Sequence, residues 1–525
     1  MSPKNALISV ADKSGLTPLA KGLLAHGFNL YATGGSSTHL TQAKIKHQDI
    51  TALTNMPEMM EGRVKTLHPA IHGGILADRT NPNHKKDMAT HAIQPIDLVV
   101  CNLYPFFERL EKGEASTADL IESIDIGGVT LIRASAKNHA HVAILTDPAD
   151  YPAIIKEFAE SASITLATRI RLAAKAIAYT AAYDSVISHW LAGLGDRQDF
   201  PPRHFTLGGE VAQPLRYGEN PQQMAALYRV PSASVGVGEK TKSTTLPRLI
   251  QGKPLGYNNL VDCDAALNLV AEFTTPSLAI IKHGNPCGVA VADTIKTAWD
   301  KAYAADPVSA FGGIVALNRK LDTATAHALA DKFIEAIIAP DADGEAIKIL
   351  TNKRILVTHG MPNPDGGHWH TRLITGGFLL QSEVTQINGE VRFDIVTKRQ
   401  PSPQEKEDML FAWRVVKHIT SNAIAFAKNH TTKAIGAGQM SRIDAMRIAI
   451  AKAHALTESP ANPLANTSLA SDGFFPFADS ITVAAEAGAT AIIQPGGSKR
   501  DDEVIAEADK HNLAMAFTGQ RVFRH

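Results

Sequence analysis

Between Asn5 and about Asp150, short apolar runs alternate with stretches of helical periodicity. Residues 6–10, 29–32, 98–103 and 141–145 read as buried strands, and residues 15–26, 36–43, 117–123 and a run from Val129 as helices. This alternation predicts βαβ units, a mainly parallel sheet with helices outside it, and ligands bound beyond the carboxyl ends of the strands. Residues 164–194 read as one long helix in which Arg169, Arg171 and Lys175 interrupt alanine-rich turns, and a Gly-Asp-Arg-Gln-Asp-Phe-Pro-Pro breaker follows. Beyond it an apolar run ending at Ile280-Ile281 leads into Lys282-His283-Gly284-Asn285-Pro286-Cys287-Gly288, whose Gly and Asn-Pro positions predict a forced loop. Further strand or helix patterns fall at residues 314–317, 405–418, 423–427 and 434–437. Residues 366–405 are the least organised, with 382–403 read partly as a peripheral hairpin and loop. The expected organisation is a parallel-sheet domain over 1–150, a helical connector over 151–200, and a second α/β region over 201–525.

Composition narrows the function classes. A chain of 525 residues, 44% hydrophobic and 20% charged, is globular and too long for one core. Lys plus Arg equals Asp plus Glu at 52 each, so no global field favours nucleic acid or a membrane surface, and any anion site must be local. Cys101, Cys263 and Cys287 are too few for a disulfide framework and contain no CxxC pair, which predicts a reduced, cytoplasmic setting. The Met-Ser-Pro-Lys-Asn start lacks the pattern of a secretory signal, and no run of 18 apolar residues predicts a membrane span.

Several segments carry candidate chemistry. Ser9-Val10-Ala11-Asp12-Lys13-Ser14-Gly15 and Ala32-Thr33-Gly34-Gly35-Ser36-Ser37-Thr38 each follow a strand and open a helix with hydroxyls and glycines, a pattern suited to cradling phosphate and equally usual in plain helix caps. If Glu61-Gly62-Arg63-Val64-Lys65-Thr66-Leu67-His68-Pro69 is extended, Arg63 and Lys65 share one face with the Thr66 hydroxyl in reach. Cys101-Asn102-Leu103-Tyr104-Pro105 and Asp125-Ile126-Gly127-Gly128, the latter before a helix carrying Lys137, add a phenol, a carboxylate and an ammonium. In the second region the adjacent Lys282 and His283 combine a cation with a group titrating near neutrality, although a solvated turn has the same composition. Arg216 beside Tyr217, Phe311 with Gly312, and the aromatic cluster at Phe474 complete the set.

The strings VADKSG, YATGGSS, GRVKTLHP, CNLYPF and IDIGGVTLIRASAKNH occur in an order that resembles the inosinate cyclohydrolase half of the bifunctional purine-synthesis family, a domain with the methylglyoxal-synthase-like fold. LRYGENPQQ, GYNNL, KHGNPCG, DPVSAFGG, SNAIAFAKN, GAGQMSR, SDGFFPF and the RVFRH ending resemble the transformylase half, which the family builds from two cytidine-deaminase-like α/β subdomains without metal. A deaminase zinc site would also need Pro-Cys-x-x-Cys, and Pro286-Cys287 is followed by Gly288-Val289-Ala290.

The resemblance implies two activities: a phosphoribosylaminoimidazolecarboxamide formyltransferase, which uses 10-formyltetrahydrofolate as co-substrate to formylate the 5-amine of AICAR, and an IMP cyclohydrolase, which closes the product FAICAR to IMP. It further implies a homodimer, no nucleic-acid or membrane partner, no metal and no tightly bound cofactor. For formyl transfer, His283 is the expected proton shuttle, Lys282 stabilises developing charge, and Asn422 orients them. Arg216, Tyr217, Asn258, Phe311, Gly312, Arg442, Phe474, Arg521 and Phe523 are the expected binding residues of that site. For ring closure the candidates are Lys65, Tyr104, Asp125 and Lys137, with Ser9, Lys13, Thr33, Gly34, Ser36, Arg63, Thr66, Asn102, Gly127 and Gly128 binding the nucleotide. Two positions depart from the family: Ser135, more often alanine, and Gln222, where Asn-Pro-His-Gln is common, so a role for that histidine does not carry over. A methylglyoxal-synthase-type lyase and a non-catalytic nucleotide sensor are the alternatives, and neither accounts for the downstream strings.

Overall fold

The computed structural model describes residues 4–57, 59–60, 63–195, 202–230, 246–363, 369–382, 391–457 and 460–525. The described residues divide into two compact units, one drawn from Met1–Glu210 and Arg229–Lys240, the other from Val211–Tyr228 and Thr241–His525.

In the first unit, β1 (Lys4–Val10), β2 (Phe28–Ala32), β3 (Gln48–Asp49), β4 (Leu98–Asn102) and β5 (Ala143–Leu145) form one sheet in the order β3-β2-β1-β4-β5, with every pairing parallel. Alternate residues of each strand enter different cores, Ala6, Ile8 and Val10 on one face and Leu7, Val99 and Cys101 on the other. A strand buried on both faces has to be apolar throughout, which is why these runs were legible. The chain leaves β1 for β2 on one side and reaches β4 on the other, so the topological switch point lies between β1 and β4. The stretch expected as a connector contributes two helices to this unit, Tyr151–Ser161 and Leu166–Ala192. Tyr151, Ile154, Phe158 and Leu172 join one core while Ala173 and Ala176 join the other, the small side chains allowing a close approach.

The second unit begins with a ribbon of β6 (Glu210–Leu215) and β7 (Ala225–Arg229), whose first and last residues fall in the other unit. Then come β8 (Arg248–Gln251), β9 (Ser277–Lys282), β10 (Asn285–Val291), β11 (Ile314–Leu317), β12 (Ala336–Ala339) and β13 (Arg354–Val357), a hairpin of β14 (Trp369–Ile374) and β15 (Gly377–Ser382), and finally β16 (Asp394–Ile395), β17 (Ile424–Ala427), β18 (Thr432–Gly436), β19 (Thr467–Ser471), β20 (Ala489–Gln494) and β21 (Ala514–Phe517). Two six-stranded sheets result, ordered β10-β9-β11-β12-β13-β8 and β18-β17-β19-β20-β21-β16. Corresponding pairs run in the same sense in both, antiparallel for the first two and the last, parallel between. The unit is therefore an internal duplication. Helices Tyr257–Ala271 and Pro403–Val416 occupy equivalent places in the two repeats and share one core, with Cys263, Leu269 and Ile281 from the first and Met409, Phe411 and Ala425 from the second. No helix among the described residues is long and apolar enough to cross a membrane.

Two expectations change. Asn285-Pro286-Cys287-Gly288 is the start of β10, not a loop, and the turn consists of His283 and Gly284 alone. Both have positive φ, 54° and 72°, the geometry that matches a two-residue hairpin to strand twist, and Pro286 is tolerated because β10 is the outermost strand of its sheet. The hairpin and loop expected over 382–403 lies partly outside the described residues (383–390). The remainder supplies β16, which pairs with β21 instead of standing apart.

Candidate active sites

The first cluster assembles where β1, β2 and β4 end. Asn102, the last residue of β4, accepts hydrogen bonds from the N–H groups of Ala11 (2.7 Å) and Asp12 (2.9 Å) and donates to Asp12 O, so it fixes the loop after β1 across the switch point. Ser36 binds the backbone of Val10 through both its N–H and its C=O, and Thr33 donates to Ser9 at 2.9 Å. Ser36 thus holds one glycine- and hydroxyl-rich loop against the other, and Asn102 holds the first of them against the end of β4. Lys13 reaches over the same place, its Nζ 3.1 Å from Ala11 O and 3.6 Å from where a Cβ on Gly35 would stand.

The Lys65-Thr66 segment closes the cluster. A Cβ on Gly34 would stand 3.0 Å from Lys65 Nζ, and one on Gly127 would stand 2.8 Å from Thr66 Oγ1, so these two glycines permit the approach of the cation and the hydroxyl. Gly127 opens the helix Gly127–Lys137, whose N-terminal N–H groups favour an anion. Asp125 sits just before it and accepts from Gly128 N at 2.7 Å. Burial raises its pKa above the usual aspartate value against the hydrogen bonds from Gly128 and Tyr104 N–H, which leaves a carboxyl that takes up a proton more readily than a surface one. Tyr104 keeps its phenol exposed.

Two further expected members are set differently. Arg63 and Lys65 do not lie in a continuous strand, since between them only Val64 makes a β-bridge, to Met59; the exposed guanidinium of Arg63 pairs with Glu122. Lys137 is the last residue of the helix that Gly127 begins and is exposed. The residues that sequence reasoning missed are Tyr179 and Tyr183. Tyr179 accepts the N–H of Leu103 at 3.1 Å; Tyr183 accepts that of Asp125 at 2.9 Å and donates to Ser123 O at 3.0 Å. Their spacing of four on a single helix was the available signal.

The second cluster is built around the β9–β10 turn. Lys282 Nζ donates to Phe311 O at 2.8 Å, and the Phe311 ring, 63% exposed, stands 4.8 Å from that of Phe333. Gly312 next to it has φ 75°. The imidazole of His283 is exposed, while its N–H and that of Gly284 both donate to Asp262, a residue the sequence did not single out. A cavity of about 260 Å³ is lined by Lys282, His283, Cys287, Asp306, Lys433 and Lys452, among others. Lys452 and Asp306 are paired across it at 2.5 Å, and burial pushes the Cys287 thiol up to about 12.

The remaining candidates gather in the second repeat. Asn422 donates to Gln439 O at 2.8 Å. Arg442 binds the fully buried carboxylate of Asp472 at 2.7 Å and lies 5.9 Å from the Phe523 ring, with Arg521 5.1 Å from the same ring on its own account. Phe474 offers its carbonyl to Arg442 and leaves its ring exposed. The C-terminal tail is docked: Arg524 donates to Gly284 O (3.1 Å) and His418 O (2.7 Å), joining the turn of the first repeat to the second. Arg216 packs on Tyr217, and their loop is closed by Gln223, which accepts from Asn220 N, and by Asn258, which donates to Glu219 O. Gln222 is exposed.

Comparison with known proteins matches both regions. Residues 15–130 match the model of the MGS-like domain, and residues 135–452 that of the AICARFT/IMPCHase bienzyme. The chain is 50% identical over 533 aligned residues to a bifunctional purine biosynthesis protein PurH of Roseobacter denitrificans, covering 99% of each chain. It is equally similar to the protein so named in Brucella canis, over 99% of this chain and 97% of that one. Among solved structures, the crystal structure of ForH aligns at 33% identity with 35% of this chain and 95% of its own, with a TM-score of 0.32.

Proposed function

The chain belongs to the AICARFT/IMPCHase bienzyme family of bifunctional purine biosynthesis proteins, and we propose that its two reactions run at the two clusters described above, one in each unit. It catalyses the last two steps of IMP synthesis: formyl transfer to the 5-amine of AICAR, giving FAICAR, and dehydrative closure of FAICAR to IMP. The lyase alternative accounts for the fold of the first unit and leaves the other unit without a purpose.

In our reading formyl transfer occurs at the β9–β10 turn. The AICAR amine is a poor nucleophile because its lone pair is conjugated with the ring, so attack on the formyl carbon must lose a proton and build an oxyanion. The exposed imidazole of His283 takes the proton, and the ammonium of Lys282, held 2.8 Å from Phe311 O, lies beside it to meet the developing charge. Exposed Phe311 and Phe474 offer flat surfaces for a bicyclic folate. Asn422, Arg442, Arg521 and Phe523, with Arg216, Tyr217 and Asn258, position the nucleotide.

Ring closure, in the same reading, occurs at Asp125. The carboxamide nitrogen attacks the formyl carbon, a proton must be moved, and the tetrahedral oxygen leaves as water. Asp125 with its raised pKa is suited to the proton, Lys65 and Tyr104 to the oxygen, and the loops of Ser9, Lys13, Thr33 and Gly34 with Thr66 and the Gly127–Gly128 helix start to the phosphate and ribose. The observation that carries this assignment is the convergence of Lys65, Thr66 and Asp125 on Gly34, Gly127 and Gly128.

We take 10-formyltetrahydrofolate as a diffusible co-substrate, with no tightly bound cofactor. A cytoplasmic homodimer is the working form in this reading; the scattered cysteines and the family pattern support it. The test is spectrophotometric: purified protein with AICAR and 10-formyltetrahydrofolate is expected to release tetrahydrofolate and IMP, and a folded protein without turnover would overturn the assignment.

A further inference from the structure

The duplication supplies an internal comparison for the catalytic turn. In the first repeat, Lys282 precedes two residues of positive φ, His283 and Gly284; in the second, Lys428 precedes Asn429 (54°) and His430 (52°). Each turn is anchored in the same two ways. Lys282 donates to Phe311 O at 2.8 Å, shortly before β11, and Lys428 donates to Ala465 O at 2.9 Å, shortly before β19, the equivalent strand. A carboxylate from the preceding helix receives the turn's backbone: Asp262 takes the N–H of His283 at 3.1 Å and of Gly284 at 2.6 Å, and Asp408 takes that of His430 at 2.8 Å. Asp262 and Asp408 are each the sixth residue of their helix, Tyr257–Ala271 and Pro403–Val416. The anchor therefore belongs to the repeated unit, and its first copy has been joined to a reaction.

From this we propose that Asp262 is a positioning residue for formyl transfer, acting through His283. The proposal rests on His283 being the proton shuttle and adds what holds it. A left-handed backbone is unfavourable for a residue with a side chain, and charge-assisted hydrogen bonds to two successive N–H groups fix that conformation and with it the direction of the imidazole. The second copy differs where function would predict. His430 lies 3.5 Å from Glu407, an acid that occupies its ring, and Asp408 is buried and receives a single turn N–H. Asp262 receives both and leaves the ring above it in solvent.

The experiment is a double-mutant cycle on the full-length chain. Asp262→Asn is expected to lower kcat for formyl transfer about 30-fold while KM for AICAR changes less than about threefold and cyclisation of added FAICAR is unchanged; Asp262→Glu should recover part of the loss. In the His283→Ala background, Asp262→Asn should cost almost nothing more. Asp408→Asn, the matched change in the other repeat, should lower thermal stability and leave kcat within about threefold. The proposal is overturned by an Asp262→Asn enzyme of normal kcat, by a loss confined to KM, by additivity with His283→Ala, or by an equal kcat loss in Asp408→Asn. If Asp262→Asn does not fold, the same cycle with Asp262→Glu decides by the same additivity. Normal turnover by His283→Ala alone removes the shuttle assignment and this proposal together, whereas an inactive His283→Ala beside a normal Asp262→Asn removes only this one.

Discussion

Tyr183 takes the backbone N–H of Asp125 onto its phenolic oxygen at 2.9 Å. The same hydroxyl donates to Ser123 O, so one half-buried phenol sets the backbone on both sides of Ile124 and aims the carboxyl that ring closure needs. Removing it strands a donor and an acceptor, at about 1–3 kcal/mol for each buried group left unpaired. Tyr183→Phe is therefore expected to slow FAICAR cyclisation about 10-fold or more and to leave formyl transfer unchanged, measured with each substrate supplied separately.

Asp125 itself predicts a pH effect. Burial raises its pKa, so as pH falls the carboxylate is lost earlier than an exposed aspartate would be. The acid limb of cyclohydrolase kcat/KM should lie above the ordinary value of 3.8, and Asp125→Asn should abolish the activity. The stability sign is opposite to that of a salt-bridged acid: a raised folded-state pKa adds stability only at low pH, and this is lost as pH rises through it. Asp125→Asn is thus expected to raise the thermal midpoint at pH 7, measured by calorimetry, and a fall would contradict the burial account.

Assignment of one reaction to each unit predicts separable losses. Lys282→Ala should reduce formyl transfer at least about 100-fold while added FAICAR is still cyclised, and Lys65→Ala should do the reverse. A well-folded protein that lost both activities from either change would show that the two clusters do not act independently.

The repeat predicts a matched pair of packing defects. On Gly288 in β10 a Cβ would overlap the carbonyl of Ala302, and on Gly436 in β18 it would overlap that of Ala445, in both cases backbone that cannot rotate away. Gly288→Ala and Gly436→Ala should each destabilise the second unit by about 2 kcal/mol or more, read from chemical denaturation. A neutral result at either position would mean that the helix behind the strand moves freely.

Much of this molecule was legible in its residues. Strands buried on both faces must be apolar along their whole length, so β1, β4 and β9 stood out, and the hydroxyl- and glycine-rich turns after β1 and β2 stood out as candidate phosphate loops. What local pattern left undetermined was the length of the turn at Lys282, because Asn-Pro reads as a breaker unless the strand is known to lie at a sheet edge. Nor did it reveal Tyr179, Tyr183, Asp262 and Arg524, ordinary residues whose partners lie 58 or more positions away, except for Asp262, whose two partners are 21 and 22 positions away. The sequence by itself determined the main strands of the first unit, the family and the residue types that carry the chemistry, since each is written in neighbouring positions. Only the tertiary structure decided which groups aim those residues: a hydrogen bond between distant segments exists only once packing has brought both ends together, and no local periodicity encodes it.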